Sequence, residues 1–224
     1  MVCNLYKQAP ELNKEGVQVI SVDEKTGIQA LERAAATLPM KKGIPERQES
    51  EYIRHGTRCL IGSFKVATGE MVTPTVGATR TEADFVAHIA QTMASDPSAD
   101  WIFVVDQLDT HKSESLVRLV ADNCGATEEL GVKGSTGILK TRHTRAEFLS
   151  DPSHRIRFVY TPKHASWLNQ IEMWFSILVR KLLKRGSFKS IGDLRDQILA
   201  FIAYFNRTMA KPFKWTYTGR PLTV

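Results

Sequence analysis

Short apolar runs rich in β-branched residues alternate with amphipathic stretches along most of this chain. Residues 17–22 alternate loosely and predict a first strand, with Asp23 at its exit. Residues 57–65 and 70–76 flank Ala67, Thr68 and Gly69, the signature of a hairpin. Thr81 with Asp84 three residues on reads as a capping box, and Phe85, Ile89 and Met93 give the following helix one apolar face. Residues 101–105 are nearly continuous apolar sequence, as in a central strand, and Asp106 ends the run.

A helix is predicted over 113–123, a short one near 145–149, and a strand over 156–160 that Pro162 stops. A long helix follows over 168–184, closed by Gly186. Ser190 and Asp193 open a last helix with Leu194, Ile198, Phe201, Ile202 and Phe205 as its buried stripe. Residues 24–56 are too irregular to assign, and residues 1–16 read as a polar tail or linker remnant. The order of elements predicts an α/β fold: a mixed five-stranded sheet, three antiparallel strands followed by two parallel ones, flanked by helices.

With 224 residues, 42% of them hydrophobic, the chain can bury one core over residues 17–224. The charge is uneven: residues 161–224 carry eleven Lys and Arg against three Asp and Glu. Such a basic third suits double-stranded DNA, or is ordinary solvated charge. Cys3, Cys59 and Cys124 form no zinc motif or disulfide framework. The absence of a secretory signal and of a long apolar run predicts a cytoplasmic protein with no membrane partner.

Asp23 and Asp106 each close an apolar run, VQVISVD and WIFVVD, and Glu172 lies in the aromatic helix pattern WLNQIEMWFSILVRKLL. Carboxylates at buried strand ends are costly unless paired. Divalent cations would offset three of them brought together, and an all-oxygen set favours Mg²⁺, with Mn²⁺ as a substitute, over zinc. Two such ions, roughly 3.5–4 Å apart, would suit phosphodiester chemistry. The plainer alternative is that the aspartates form turns or cap helices. By i+3 and i+7 spacing, Glu172 should share a partly inward face with Phe175 and Val179.

Around this trio, Asp109, His111, His164 and Asn169 are candidate supporting residues. Asp109 equally fits a helix cap, His111 core packing, and His164 a turn; Asn169 fits the orientation of a metal-bound water. Candidate DNA contacts are Lys112, Lys163, Arg142, Arg145, Lys181, Lys184 and Arg185. The last three also suit a helix C-terminus. Trp167 and Trp174 fit the core better than base stacking, and Glu24 fits a non-ligand role.

The segments VDEKTGIQALER at 22–33, HGT at 55–57, VVDQLDTHKS at 104–113, YTPKHASWLNQIEMWFSILVRKLLKRGSF at 160–188 and FNRTMAKPFKWTYTG at 205–219 resemble the catalytic domain of bacterial insertion-sequence transposases of the mariner superfamily. The resemblance implies a ribonuclease-H-like fold with Asp23, Asp106 and Glu172 as catalytic, metal-binding acids. It implies a DDE transposase that hydrolyses a phosphodiester at the element end and joins the 3′-hydroxyl to target DNA, typically at TA, as a homodimer on DNA. A nuclease without strand transfer and an inactive DNA-binding regulator are the alternatives.

Three features depart from the family pattern. Gln107 stands where Asn is frequent. The 65 residues between Asp106 and Glu172 exceed the usual spacing, which predicts an insertion at 121–150 that is DNA-facing, subunit-facing or a solvent flap. Helix-turn-helix modules usually precede this core, so they are expected to be missing or on another chain.

Overall fold

The computed structural model describes residues 2–217. Its strands are β1 (Val17–Arg33), β2 (Tyr52–Lys65), β3 (Glu70–Gly77), β4 (Asp100–Val105) and β5 (Ile156–Tyr160). They form one sheet in the order β3-β2-β1-β4-β5, with β1, β4 and β5 mutually parallel and β2 antiparallel to β1 and β3. The helices are α1 (Val2–Lys14), α2 (Glu82–Ala94), α3 (Glu114–Cys124), α4 (Arg142–Leu149), α5 (Ile171–Leu178) and α6 (Ile191–Thr208).

Both faces of the sheet are covered. On β4, Trp101, Phe103 and Val105 join the cluster under α2, α3 and α4, while Ile102 and Val104 join the cluster under α1. This two-sided burial is why the strand reads as an unbroken apolar run. The aromatic face of α5 and the stripe of α6 pack with Leu60, Phe64 and Met71 of the hairpin.

Local chemistry sets the helix ends. Thr81 and Asp84 make the reciprocal capping box that starts α2. Ser113 caps α3, and Gly125 ends it with a left-handed φ of 63°.

Four expectations change. β1 does not stop at Asp23. It pairs with β4 only from Val17 to Ser21, then continues to Arg33 as a two-stranded ribbon with β2. Register shifts between Lys25 and Ile28 and between Gln29 and Leu31 break the alternation that would have revealed it.

Residues 2–14 are a helix rather than a tail. Val2, Cys3, Tyr6 and Ala9 are buried against the sheet, and Tyr6 Oη donates to the Leu168 carbonyl at 2.9 Å.

The 121–150 segment is no solvent flap, because Leu139, Phe148 and Leu149 enter the core. The long helix is interrupted: a 3₁₀ turn (Ser166–Leu168) precedes α5, and a π-helical turn (Val179–Leu183) follows it, closed by Lys184 N to Val179 O at 2.8 Å.

Among the described residues no helix is long and apolar enough to cross a membrane. Thr218 and Gly219, the end of the last resembling segment, lie outside the described residues.

Candidate active site

The parallel pairing of β1 with β4 ends at Ser21 opposite Val104. Continuing that register by two residues sets Asp23 beside Asp106. Asp23 is 7% exposed. Its Oδ1 accepts from the Glu24 amide at 2.8 Å and its Oδ2 from Asn169 Nδ2 at 3.2 Å. Asp106 Oδ1 accepts from the Leu108 amide at 2.9 Å and meets His111 Nδ1 at 2.9 Å.

Glu172 reaches this end of the sheet because the start of α5 is fastened to β1. Asn169 is fully buried. Its Oδ1 accepts from Ser21 Oγ, and its Nδ2 donates to the Val22 carbonyl at 2.8 Å as well as to Asp23. The Ile171 amide donates to Ser21 Oγ at 3.0 Å. The Asn169 amide is thus occupied by β1, where orientation of a water was expected. Glu172 is exposed rather than partly inward, because Ile171, Trp174, Phe175 and Leu178 take the buried face of α5.

Crowding shows in the electrostatics. Burial pushes the Asp23 carboxyl up to about 7, and the charges of Asp106, Glu24 and Glu172 add to the shift against one opposing hydrogen bond from the Glu24 amide. Asp106 goes the other way. Burial would raise it, but hydrogen bonds from His111 and Leu108 and the His111 charge hold it below the usual carboxylate range. His111 is fully buried, which alone would lower its pKa, yet its bonds to Asp106 and Glu24 raise it to about 9.

The donor set is all oxygen, and its residual repulsion is what a hard cation relieves, so the residues fit Mg²⁺ or Mn²⁺ chemically. As the side chains stand, no three His, Cys, Asp or Glu groups among the described residues are close enough to share an ion.

A family model described as DDE superfamily endonuclease matches residues 18–195. The chain belongs to this family. No curated protein matches it in sequence. Among solved structures, the DDE endonuclease chain is similar to the Mos1 mariner paired-end complex with Mn, at 12% identity and a TM-score of 0.53, covering 90% of this chain and 53% of that one. It is also similar to a pre-cleavage Mos1 transpososome, at 9% identity and a TM-score of 0.50, covering 90% and 54%. The shared fold is the ribonuclease-H-like core, and the DDE endonuclease chain spans about half the length of these structures.

The other candidates scatter. Asp109 is exposed and pairs with Arg142 Nη1 at 2.9 Å. Arg145 is buried, not DNA-facing, with Nε donating to the Lys112 carbonyl at 2.6 Å and Nη1 to the Leu139 carbonyl at 2.9 Å. Lys112 lies over the Tyr160 ring at 4.9 Å and donates to Gln107. His164 and Lys163 are exposed in the turn after β5, where His164 has a φ of 61°. Lys181, Lys184 and Arg185 are exposed. Trp174 is core, but Trp167 is 55% exposed and meets Tyr217 edge-on at 5.1 Å.

Two residues escaped the sequence reading, and so did the contact that a third makes. Ser21 ties α5 to β1. Arg180 lines one cleft with Glu172 and Lys25, and a second with Lys184, Arg185, Glu46 and Gln48. Glu24, set aside as a non-ligand, has a side chain only 1% exposed and lies 3.3 Å from His111 Nε2. For Glu24 the only signal was its place one step after Asp23 in a strand, which sends it to the opposite face.

Proposed function

We propose that this chain is the catalytic core of a DDE transposase that cuts a phosphodiester at the end of a DNA element and joins the freed 3′-hydroxyl to target DNA. The observation that carries this reading is the register match of Asp23 and Asp106, with α5 bearing Glu172 fastened to the same stretch of β1. Membership of the DDE endonuclease family and the likeness to Mos1 complexes support it.

Asp23, Asp106 and Glu172 would hold the divalent cations, two Mg²⁺ or Mn²⁺ ions. When bound, such ions activate a water or hydroxyl nucleophile and offset charge on the scissile phosphate and the leaving oxygen. The residues of the chain supply position. Asn169 and the Glu24 amide hold both oxygens of Asp23 in one rotamer. His111 and the Leu108 amide do the same for Asp106. Glu172 is exposed on the first turn of α5, where its carboxylate would complete the set with Asp23 and Asp106. Arg180, Lys184 and Arg185 line the clefts leading away from Glu172 and suit a phosphate backbone. Two element ends acted on together call for a homodimer on DNA.

The test is incubation of pre-cut element ends with a supercoiled target plasmid in Mg²⁺, in EDTA, and with Asp106→Asn protein. Joined products only with wild-type protein and Mg²⁺ are expected. Joining by the Asp106→Asn protein would reject the site. Plasmid nicking without joining would reassign the chain to metal-dependent hydrolysis, and metal-independent DNA binding with no cleavage would make it a regulator.

A further inference from the structure

We infer that Glu24 and His111 are positioning residues that hold Asp106 in its metal-binding rotamer, Glu24 acting only through the His111 ring. The inference rests on Asp106 being a metal ligand.

Its basis is geometric. Both ring nitrogens of His111 face carboxylates: Nδ1 lies 2.9 Å from Asp106 Oδ1, and Nε2 lies 3.3 Å from Glu24 Oε1. The ring is wholly enclosed, and the Glu24 side chain is nearly so. Phe85 packs against one side of the imidazole with ring centroids 4.3 Å apart. Tyr160 Oη donates to the His111 carbonyl at 2.8 Å, which fixes the backbone from which the ring projects. The imidazole therefore has one orientation.

The line Glu24–His111–Asp106 runs from inside the sheet to the site. Glu24 follows Asp23 in β1, so the pleat sends the two carboxylates to opposite faces. One acid is presented toward α5 and Asn169. The other is buried against His111 in the loop after β4, and the ring stands between it and Asp106. A buried carboxylate that makes no contact with the reacting groups has a high desolvation cost. That cost has a purpose if Glu24 restrains the ring that restrains a metal ligand. Hydrogen-bonded partners of ligating groups change metal affinity by about 10–100-fold when removed.

The experiment measures Mn²⁺ binding to the DNA-free chain by calorimetry at one pH, together with Mn²⁺-dependent plasmid nicking. Glu24→Gln is isosteric and should weaken Mn²⁺ binding by about tenfold, with little change in melting temperature. His111→Ala should weaken it at least as much. The Glu24→Gln/His111→Ala double variant should be no weaker than His111→Ala alone. His111→Asn keeps a donor near the Nδ1 position, so Glu24→Gln/His111→Asn should recover most of the affinity that the His111→Ala pair lacks.

Equal Mn²⁺ affinity in the wild-type and Glu24→Gln proteins would overturn the inference. So would additive losses in the double variant, which mean that Glu24 acts independently of the ring. Should Glu24→Gln fail to fold, the comparison of His111→Asn with His111→Ala decides, and equal losses there overturn it. A wild-type chain that binds no Mn²⁺, or binds it unchanged after Asp106→Asn, removes the metal-site reading itself and this inference with it.

Discussion

Asp23 in β1 and Asp106, the residue that follows β4, stand in matching register, each two steps beyond the last paired residues, Ser21 and Val104. Each acid is held by one backbone amide and one side-chain partner. Such an arrangement sets two carboxyl groups at one end of the sheet, and the charge of Asp106 adds to the burial that resists ionisation of Asp23 before any cation arrives.

The first prediction concerns that stored repulsion. Mg²⁺ or Mn²⁺ at about a hundred times its dissociation constant should stabilise the fold by about 2.7 kcal/mol. Thermal melting with and without the ion reads the effect. The gain should vanish in the Asp106→Asn protein, and an equal gain in both proteins would place the ion elsewhere.

A second prediction follows from Asn169, which closes three hydrogen bonds between the turn before α5 and β1. Asn169→Ala leaves Ser21 Oγ and the Val22 carbonyl without that partner, in the interior. A loss of about 2–3 kcal/mol in urea unfolding is expected. Cleavage per folded molecule should fall as well, because Glu172 loses its anchorage three residues away. Undiminished activity of the folded fraction would show that the 169 side chain supports the fold alone.

The third concerns acid. His88 lies buried between Ser63 and Thr75, with ring contacts of 2.9 Å to each hydroxyl, and burial lowers its pKa to about 3. Its unfolded value is near 6.5. The unfolded chain therefore takes up a proton that the folded chain refuses. The contribution is whole above about pH 6.5 and declines as pH falls toward 3. From pH 7.5 to pH 5 this group alone should remove about 2 kcal/mol, read as the difference between wild-type and His88→Gln urea titrations at the two values, because the raised Asp23 and His111 gain stability over the same interval in both proteins. An equal pH response in the two proteins would contradict the neutral buried ring.

The fourth concerns DNA. The π-helical turn closes with an i to i+5 bond, which brings Arg185 onto the side of Arg180 and Lys184. Replacing each of the three by Ala should lower the slope of log K against log salt by about 0.9 for every phosphate that is no longer neutralised. Arg118→Ala, on α3 across the sheet, should leave the slope unchanged.

Some features were plain in the sequence and others were hidden for definite reasons. β5 was visible because five apolar-rich residues end before Pro162, and α2 because Thr81 and Asp84 announce its start. The pairing of two strand-associated aspartates was also suggested by their apolar runs. The register that makes them neighbours depends on strands about 80 residues apart in sequence, which no local pattern encodes. β1 was cut short because its ribbon half is polar and bulged. The helix α1 was missed because its buried face is only Val2, Cys3, Tyr6 and Ala9, with Pro10 beside it. Glu24 was read as a non-ligand, but its contact with His111 was hidden because the two lie 87 positions apart. Trp167 looked like core, yet it occupies the turn before α5, where its neighbour is Tyr217.

The first helix has a practical consequence. Tyr6 grips the carbonyl of Leu168, the residue just before Asn169, and the same helix shields Val19, Ile102 and Val104. Trimming the chain to Val17, as a sequence-guided minimal domain would invite, removes a clasp one residue from Asn169 and bares the back of β1 and β4. A shortened enzyme would then look inactive for reasons unrelated to its chemistry.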